Sequence, residues 1–401
     1  MQQLSHAEAT LVAAIDPAAM LGQVRTWSAI NTGTRNLAGL AKQAEALADA
    51  FSALPGGIEL RDPMPVEAVA ADGQVQPLGH GRHLVLSVRP DAPRRLLLTG
   101  HMDTVFAADH HFQSQRWIDD TTLNGPGVAD MKGGLAVILA ALTAFEVGPA
   151  AARIGYDVLI NSDEETGSLS SAALIAQLAQ SKAAALTFEP AALPDGTLAG
   201  ARGGSGNFSA VVTGRAAHAG RNPSWGRNAI VAAADFALRL KAMESASLSI
   251  NPARIEGGGA NNVVPDHAVL RFNIRPRDTL DAERFDHAIY GVCREVELEH
   301  EVQVRLHGGI TRPPKPLTPA AEALFGLVRE CGAALGQSIS WQTSGGVCDG
   351  NNIAAVGVPV VDTMGVRGGA IHSAEEYLIV SSLAERAALS AVVLHRLAGG
   401  E

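Results

Sequence analysis

Read as apolar and polar positions, the first half of the chain alternates two periods. RRLLLTG (94–100), YDVLINS (156–162) and AALTFEP (184–190) are short, nearly continuous apolar runs, the mark of strands buried on both faces. Between them, GGLAVILAALTAF (133–145) and LSSAALIAQLAQ (169–180) carry helical spacing. The pattern returns near the end, with the helical AAEALFGLVREC, a strand at VPVVDTMG (358–365) and a closing helix at SSLAERAALSAVVLHRLA (381–398). Strands alternating with helices predict an α/β domain built on a mostly parallel sheet flanked by helices.

From about 204 to 311 the pattern changes to β-α-β-β-α-β, the order of a ferredoxin-like unit. Along HAVLRFNIRP, Leu270, Phe272 and Ile274 fall on one face and Arg271, Asn273 and Arg275 on the other. The apolar face predicts contact with two helices; the polar face stays open. RPPKP (312–316) is a stiff return linker. The expected organisation is therefore a discontinuous domain of residues 1–203 and 312–401, interrupted by an α+β domain of residues 204–311.

Composition narrows the partners. A net charge of −10 over 401 residues disfavours nucleic acid and anionic membranes. No apolar run reads as a membrane span and no basic leader opens the chain. Three dispersed cysteines (Cys293, Cys331, Cys348) argue against a disulfide framework. The expectation is a soluble cytoplasmic protein.

The candidate chemistry lies where the strands end. LLLTG is followed by His101 and Asp103, YDVLINS by Asp163, Glu164 and Glu165, LTF by Glu189, and the last strand region by His372; Asp130 precedes a helix in GVADMKGG. Taken singly, each has a plain alternative: a structural His, a cap Asp, a solvated acidic loop, and a capped helix start for His372–Glu376. Together they converge at the carboxyl ends of one sheet, where open α/β folds bind ligands. Two imidazoles and three carboxylates suit a pair of borderline divalent ions, zinc first, with cobalt or manganese as alternatives. Such a pair binds a shared hydroxide and polarises a carbonyl. That chemistry also explains the three adjacent acids, since metal charge offsets their repulsion.

HMDTV, GVADMKGG, NSDEETGS, FEP, GRAAHAG, NNVVPD and IHSAEEY, in this order, resemble the co-catalytic zinc amidohydrolases and exopeptidases, especially the glutamate carboxypeptidase branch. The resemblance covers about residues 90–380. It implies that His101 and Glu189 hold one metal, Glu165 and His372 the other, and Asp130 bridges them. It implies a cis bond at Asp130–Met131, Asp103 orienting His101, and Glu164 as general acid/base. From the inserted domain it implies His218 as donor to the carbonyl oxygen and Asn262 and Arg275 as anchors for a substrate carboxylate. It further implies a homodimer through that domain, with His218 reaching the partner's site. Arg367, in GVRGG, departs from the family pattern; a second substrate-binding contact, to an acidic side chain of the substrate, and simple solvation stand equal. Cys348 has no evident His partner, and His110 and His111 are expected at the surface.

The expected activity is hydrolysis of an amide beside a free carboxylate, on peptides or N-acyl amino acids, with an aminoacylase or dipeptidase as the alternative. A binding protein that has lost catalysis is disfavoured by the intact Glu164 and His218. A dinuclear phosphoesterase is disfavoured because cations near the motifs are few beyond Lys132 and Arg367.

Overall fold

The computed structural model describes residues 3–399. They divide into two compact units: Pro65–Leu78 with Arg202–Lys315, and the remainder of the chain. In chain order the main elements are α1 (Leu37–Phe51), β1 (Gly57–Arg61), β2 (His83–Val88), β3 (Arg95–His101), α2 (Gly134–Val147), β4 (Gly155–Asn161), α3 (Ala172–Ala179) and β5 (Ala184–Thr187). The second unit follows with β6 (Ser205–Thr213), α4 (Ala229–Ala242), β7 (Leu248–Gly257), β8 (His267–Pro276), α5 (Thr279–His300) and β9 (Gln303–Arg312). The chain then returns with α6 (Pro319–Ala334), β10 (Val360–Val361) and α7 (Ser382–Leu397).

In the first unit the strand order is β1-β2-β4-β3-β5-β10. The β4–β3, β3–β5 and β5–β10 pairs are parallel, while β2 runs against both of its neighbours. The apolar run in β3 explains its central place. Leu96 and Leu98 join the core on one face and Leu97 the smaller core on the other, all at 0–1% exposure. Burying each contributes roughly 1.5–3 kcal/mol. Asp157, a charge inside β4, is tolerated because Arg95 (2.6 Å) and Lys182 (2.8 Å) both pair with it.

Helix α2 is apolar over most of its surface because most of it is buried. With the preceding turn it forms one stretch, Val128–Val147, apolar and long enough to cross a membrane by length and composition, against the expectation that no run reaches that length. Its most apolar window is 89% buried within the protein, so that apolarity is used by the core. Gly134 lets this helix approach the segment just beyond β5: a Cβ there would lie 2.1 Å from the Phe188 main-chain oxygen.

The second unit is an antiparallel sheet of order β7-β8-β6-β9, the ferredoxin-like arrangement. Its apolar face packs Phe208 and Phe272 against Phe236 of α4 and Phe285 of α5; Phe208 and Phe272 stack at 5.1 Å. One segment falls differently from the expected boundaries. Residues 65–78 pack with this unit because their hairpin covers part of the polar face. Val69 joins Val211 and Val269, Arg271 donates to Val69 O (2.7 Å), and His267 donates to Ala71 O (3.1 Å).

Candidate metal centre

The parallel register aligns His101, the last residue of β3, with Asn161, the last of β4. The turn carrying Glu164 and Glu165 therefore starts beside the HMDTV loop. Glu189 lies two residues beyond β5, Asp130 just before α2, and His372 in the loop after β10 at φ 64°. The Asp130–Met131 bond is cis.

These side chains meet around Asp130. Its Oδ1 lies 3.1 Å from His101 Nε2 and its Oδ2 3.2 Å from His372 Nε2. Glu189 Oε2 is 3.5 Å from the same His101 nitrogen, and Glu165 Oε2 is 3.2 Å from the same His372 nitrogen. One carboxylate thus stands between two imidazoles, each with a second carboxylate. Glu164 joins the first group, with ligand atoms of His101, Glu164 and Glu189 within 4.8 Å of one another. Oε1 of Glu189 is buried without a hydrogen-bond partner, which leaves a lone pair facing no donor. The donor set and this orphaned oxygen fit a pair of divalent cations.

The three adjacent acids turn out to do different work. Asp163 is buried and turned away, accepting from Ser170 N (2.6 Å), Ser170 Oγ (2.9 Å) and Ser171 Oγ (2.6 Å). It ties the turn, so only Glu164 and Glu165 face the cluster. Asp103 accepts from Glu164 N (3.1 Å), Glu165 N (3.2 Å) and Thr34 Oγ1 (2.7 Å). It meets His101 Nδ1 through its main-chain oxygen at 3.0 Å, with its carboxylate at 3.4 Å.

Burial opposes a charged His101, but the Glu189, Asp103 and Asp130 carboxylates outweigh it and hold the ring well above 6.5. Hydrogen bonds to Asp130 and Glu165 push His372 up to about 11. Burial disfavours the Asp130 carboxylate, yet its bonds to both imidazoles hold it below the usual range. Burial and the Asp130 charge push Glu165 up to about 7. The carboxylates thus favour positive charge at the imidazoles, a balance that bound cations would supply instead.

A profile of peptidase family M20/M25/M40 matches residues 97–396. The chain belongs to this family. It is 30% identical over 332 residues to carboxypeptidase G2 of Pseudomonas sp. (strain RS-16), covering 80% of this chain and 78% of that one. It is 29% identical over 323 residues to succinyl-diaminopimelate desuccinylase of Xanthomonas oryzae pv. oryzae (strain PXO99A), covering 75% and 83%. A Staphylococcus aureus tripeptidase structure shares the fold at TM-score 0.72 and 23% identity, covering 96% of this chain and 100% of that one. As an M20 member, the protein is a hydrolase of amide or peptide bonds in a metal-dependent family with a dinuclear site.

Two buried charged residues of this M20 chain have partners that the sequence did not show. Glu376 is fully buried and accepts from the main-chain N–H of Gly127 (3.1 Å), Ala129 (2.9 Å) and Asp130 (3.0 Å). It fixes the loop that presents Asp130. Burial and the Asp130 charge push its carboxyl up to about 8, against the pull of those donors. The Ser373–Glu376 spacing suggested a capped helix start; the structure has a turn there, and Glu376 caps a loop nearly 250 residues away. Lys132 is the other residue: its Nζ donates to Ile30 O (2.8 Å), and burial pushes it down to about 7.

Arg367 is taken up by its own fold. Its guanidinium donates to Pro194 O (3.0 Å) and pairs with Glu385 (2.9 Å), which ties its loop to α7. Cys348 is buried and its thiol donates to Asp362 (3.4 Å). His110 and the exposed His111 stack on each other at 4.3 Å. His218, Asn262 and Arg275 lie exposed on the inserted unit. His218 Nδ1 accepts from Gly220 N and Arg221 N, both at 3.1 Å, so its ring proton resides on Nε2. A further acidic cluster, Asp235, Glu299 and His300, already holds a cation, because Arg239 pairs with Asp235, Glu295 and Glu299.

Proposed function

We propose that this chain hydrolyses an amide bond beside a free carboxylate, on peptides ending in glutamate or on N-acyl amino acids. The observation that carries the reading is Asp130, with one oxygen toward His101 and the other toward His372. His101 and Glu189 would hold one divalent ion and Glu165 and His372 a second, with Asp130 available to both and zinc the first choice. When bound, the ion pair polarises the scissile carbonyl and acidifies a water. Glu164, on the turn held by Asp103, takes the water's proton and returns it to the leaving amine.

The inserted unit supplies the remaining groups. His218, with its proton on Nε2, donates to the carbonyl oxygen as that atom gains charge. Arg275 and Asn262 hold the substrate carboxylate; a guanidinium fork meets a carboxylate with two bonds. We assign a homodimer through this unit, His218 serving the partner's site. Exposed Val231 (52%) and Leu238 (71%), seven residues apart on α4, support an apolar contact there. The similarity to carboxypeptidase G2 favours peptide-like substrates ending in a free acid. The similarity to a desuccinylase favours a second reading, release of a simple acyl group from an amino acid.

The test is a metal count together with an activity panel. After zinc loading and dialysis, elemental analysis should find two ions per chain, and N-acyl amino acids or dipeptides should be cleaved. Full activity in strong chelator, with no metal retained, refutes the reading.

A further inference from the structure

Beside the metal centre, within the same unit, lies a cleft of about 510 Å³. Glu165 lines it, so one end abuts the cluster. The rest is small or neutral (Thr34, Thr104, Ala107 and Ala108 among them), apart from a single cation, Arg35.

The cleft is built rather than incidental. Asn31 Nδ2 donates to Phe106 O (3.0 Å) and Ala107 O (3.2 Å), and Thr104 N donates to Thr32 O (2.9 Å). Gly33 permits this approach, since a Cβ there would lie 2.5 Å from Phe106 O. Thr34 Oγ1 donates to Asp103, which also receives the N–H of Glu164 and Glu165. One set of bonds therefore fixes the Arg35 loop relative to the candidate base and ligand.

Arg35 is held on one side only. Nη1 donates to Gly79 O (3.2 Å) and to His80 Nε2 (3.0 Å), which sets its position. Among the described residues, neither Nε nor Nη2 of this exposed side chain has an acceptor; the Asp163 and Asp103 charges act on it without a direct ion pair. A positioned guanidinium with a free edge is suited to a carboxylate with two oxygens.

We infer that this cleft receives the acyl side of the substrate and that Arg35 selects acyl groups ending in a carboxylate. The inference rests on the proposed amide hydrolysis. That reading gives the carboxylate beside the scissile bond to Arg275, which leaves the cleft at Glu165 for the other half of the molecule. The substrates singled out are amino acids N-acylated by a dicarboxylic acid, or peptides with an acidic side chain in the corresponding place.

The experiment compares matched pairs: N-succinyl- and N-glutaryl-glutamate against the same compounds with the terminal acid converted to its primary amide. N-acetyl-glutamate is included as a short neutral reference. Wild-type enzyme should favour each acid over its amide at least tenfold in kcat/KM. In Arg35→Gln that ratio should fall to near one, and Arg35→Lys should keep part of it. Free glutarate, but not its monoamide, should raise the Tm of the zinc-loaded wild type and not of Arg35→Gln. Acid and amide cleaved equally by wild type, or a loss in Arg35→Gln that is the same for both, overturns the inference and leaves amide hydrolysis standing. No cleavage of any compound, the acetyl reference included, fails the hydrolase reading, and the inference falls with it.

Discussion

Glu376→Ala is the most informative single change, because it removes the support of Asp130 without touching a candidate ligand. The wild-type carboxylate satisfies three buried main-chain donors, at Gly127, Ala129 and Asp130. Each buried donor left unsatisfied costs about 1–3 kcal/mol, so the three together cost about 3 kcal/mol at the low end, where water enters the gap. For a unit of this size that lowers Tm by roughly 6 °C. Outer partners of metal ligands are also worth about 10–100-fold in metal affinity. Glu376→Gln keeps one carbonyl oxygen but turns an amide N–H₂ toward a donor, so about 1–3 kcal/mol is lost. The assays are thermal unfolding of the metal-free protein and a competitive zinc titration against a chromophoric chelator. A Glu376→Ala protein that unfolds at the parent temperature and binds two zinc ions with parental affinity refutes the argument.

The remaining expectations concern the chemistry. Glu164→Gln should retain both metals and the fold while kcat falls about 10²–10⁴-fold; a parental rate would remove Glu164 as the base. Arg275→Ala should cost about 2–5 kcal/mol on substrates with a free α-carboxylate and much less on their amides, measured as kcat/KM. Mixing His218→Ala with Glu164→Gln chains should recover about a quarter of wild-type activity if His218 serves the partner's site. No recovery after proven exchange rejects the trans arrangement. Metal affinity should fall as pH falls: His372, pushed up to about 11 without metal, and His101, also raised, must each shed a proton to coordinate. Calorimetry of zinc binding in buffers of different ionisation enthalpy should show net proton release, and pH-independent binding contradicts the assignment.

The features legible in the sequence are those where a local pattern has only one reading. The apolar runs of β3, β4 and β5 are buried on both faces, and such runs form the centre of a parallel sheet. Alternation along β8 sorted Leu270, Phe272 and Ile274 from Arg271, Asn273 and Arg275, as the structure has them. Because parallel strands end on one edge, the sequence alone marks His101, Glu164, Glu165 and Glu189 as neighbours.

Tertiary structure alone decided whatever depends on bonds between distant segments. Asp163 and Glu165 are both acids in one short motif, yet two serines claim the first and His372 meets the second. Glu376 follows an acidic neighbour in an unremarkable turn, and its role exists only because the Gly127–Asp130 loop arrives beside it. Arg367 reads as a spare cation until Glu385 and Pro194 O take it up. The hairpin at 67–77 carries no mark of the unit it joins; Arg271 and Val269, some 200 residues later, supply the contacts. Side-chain spacing records which face a residue lies on within its own element. The donor or charge that meets that face is set by packing, and packing is a property of the whole chain.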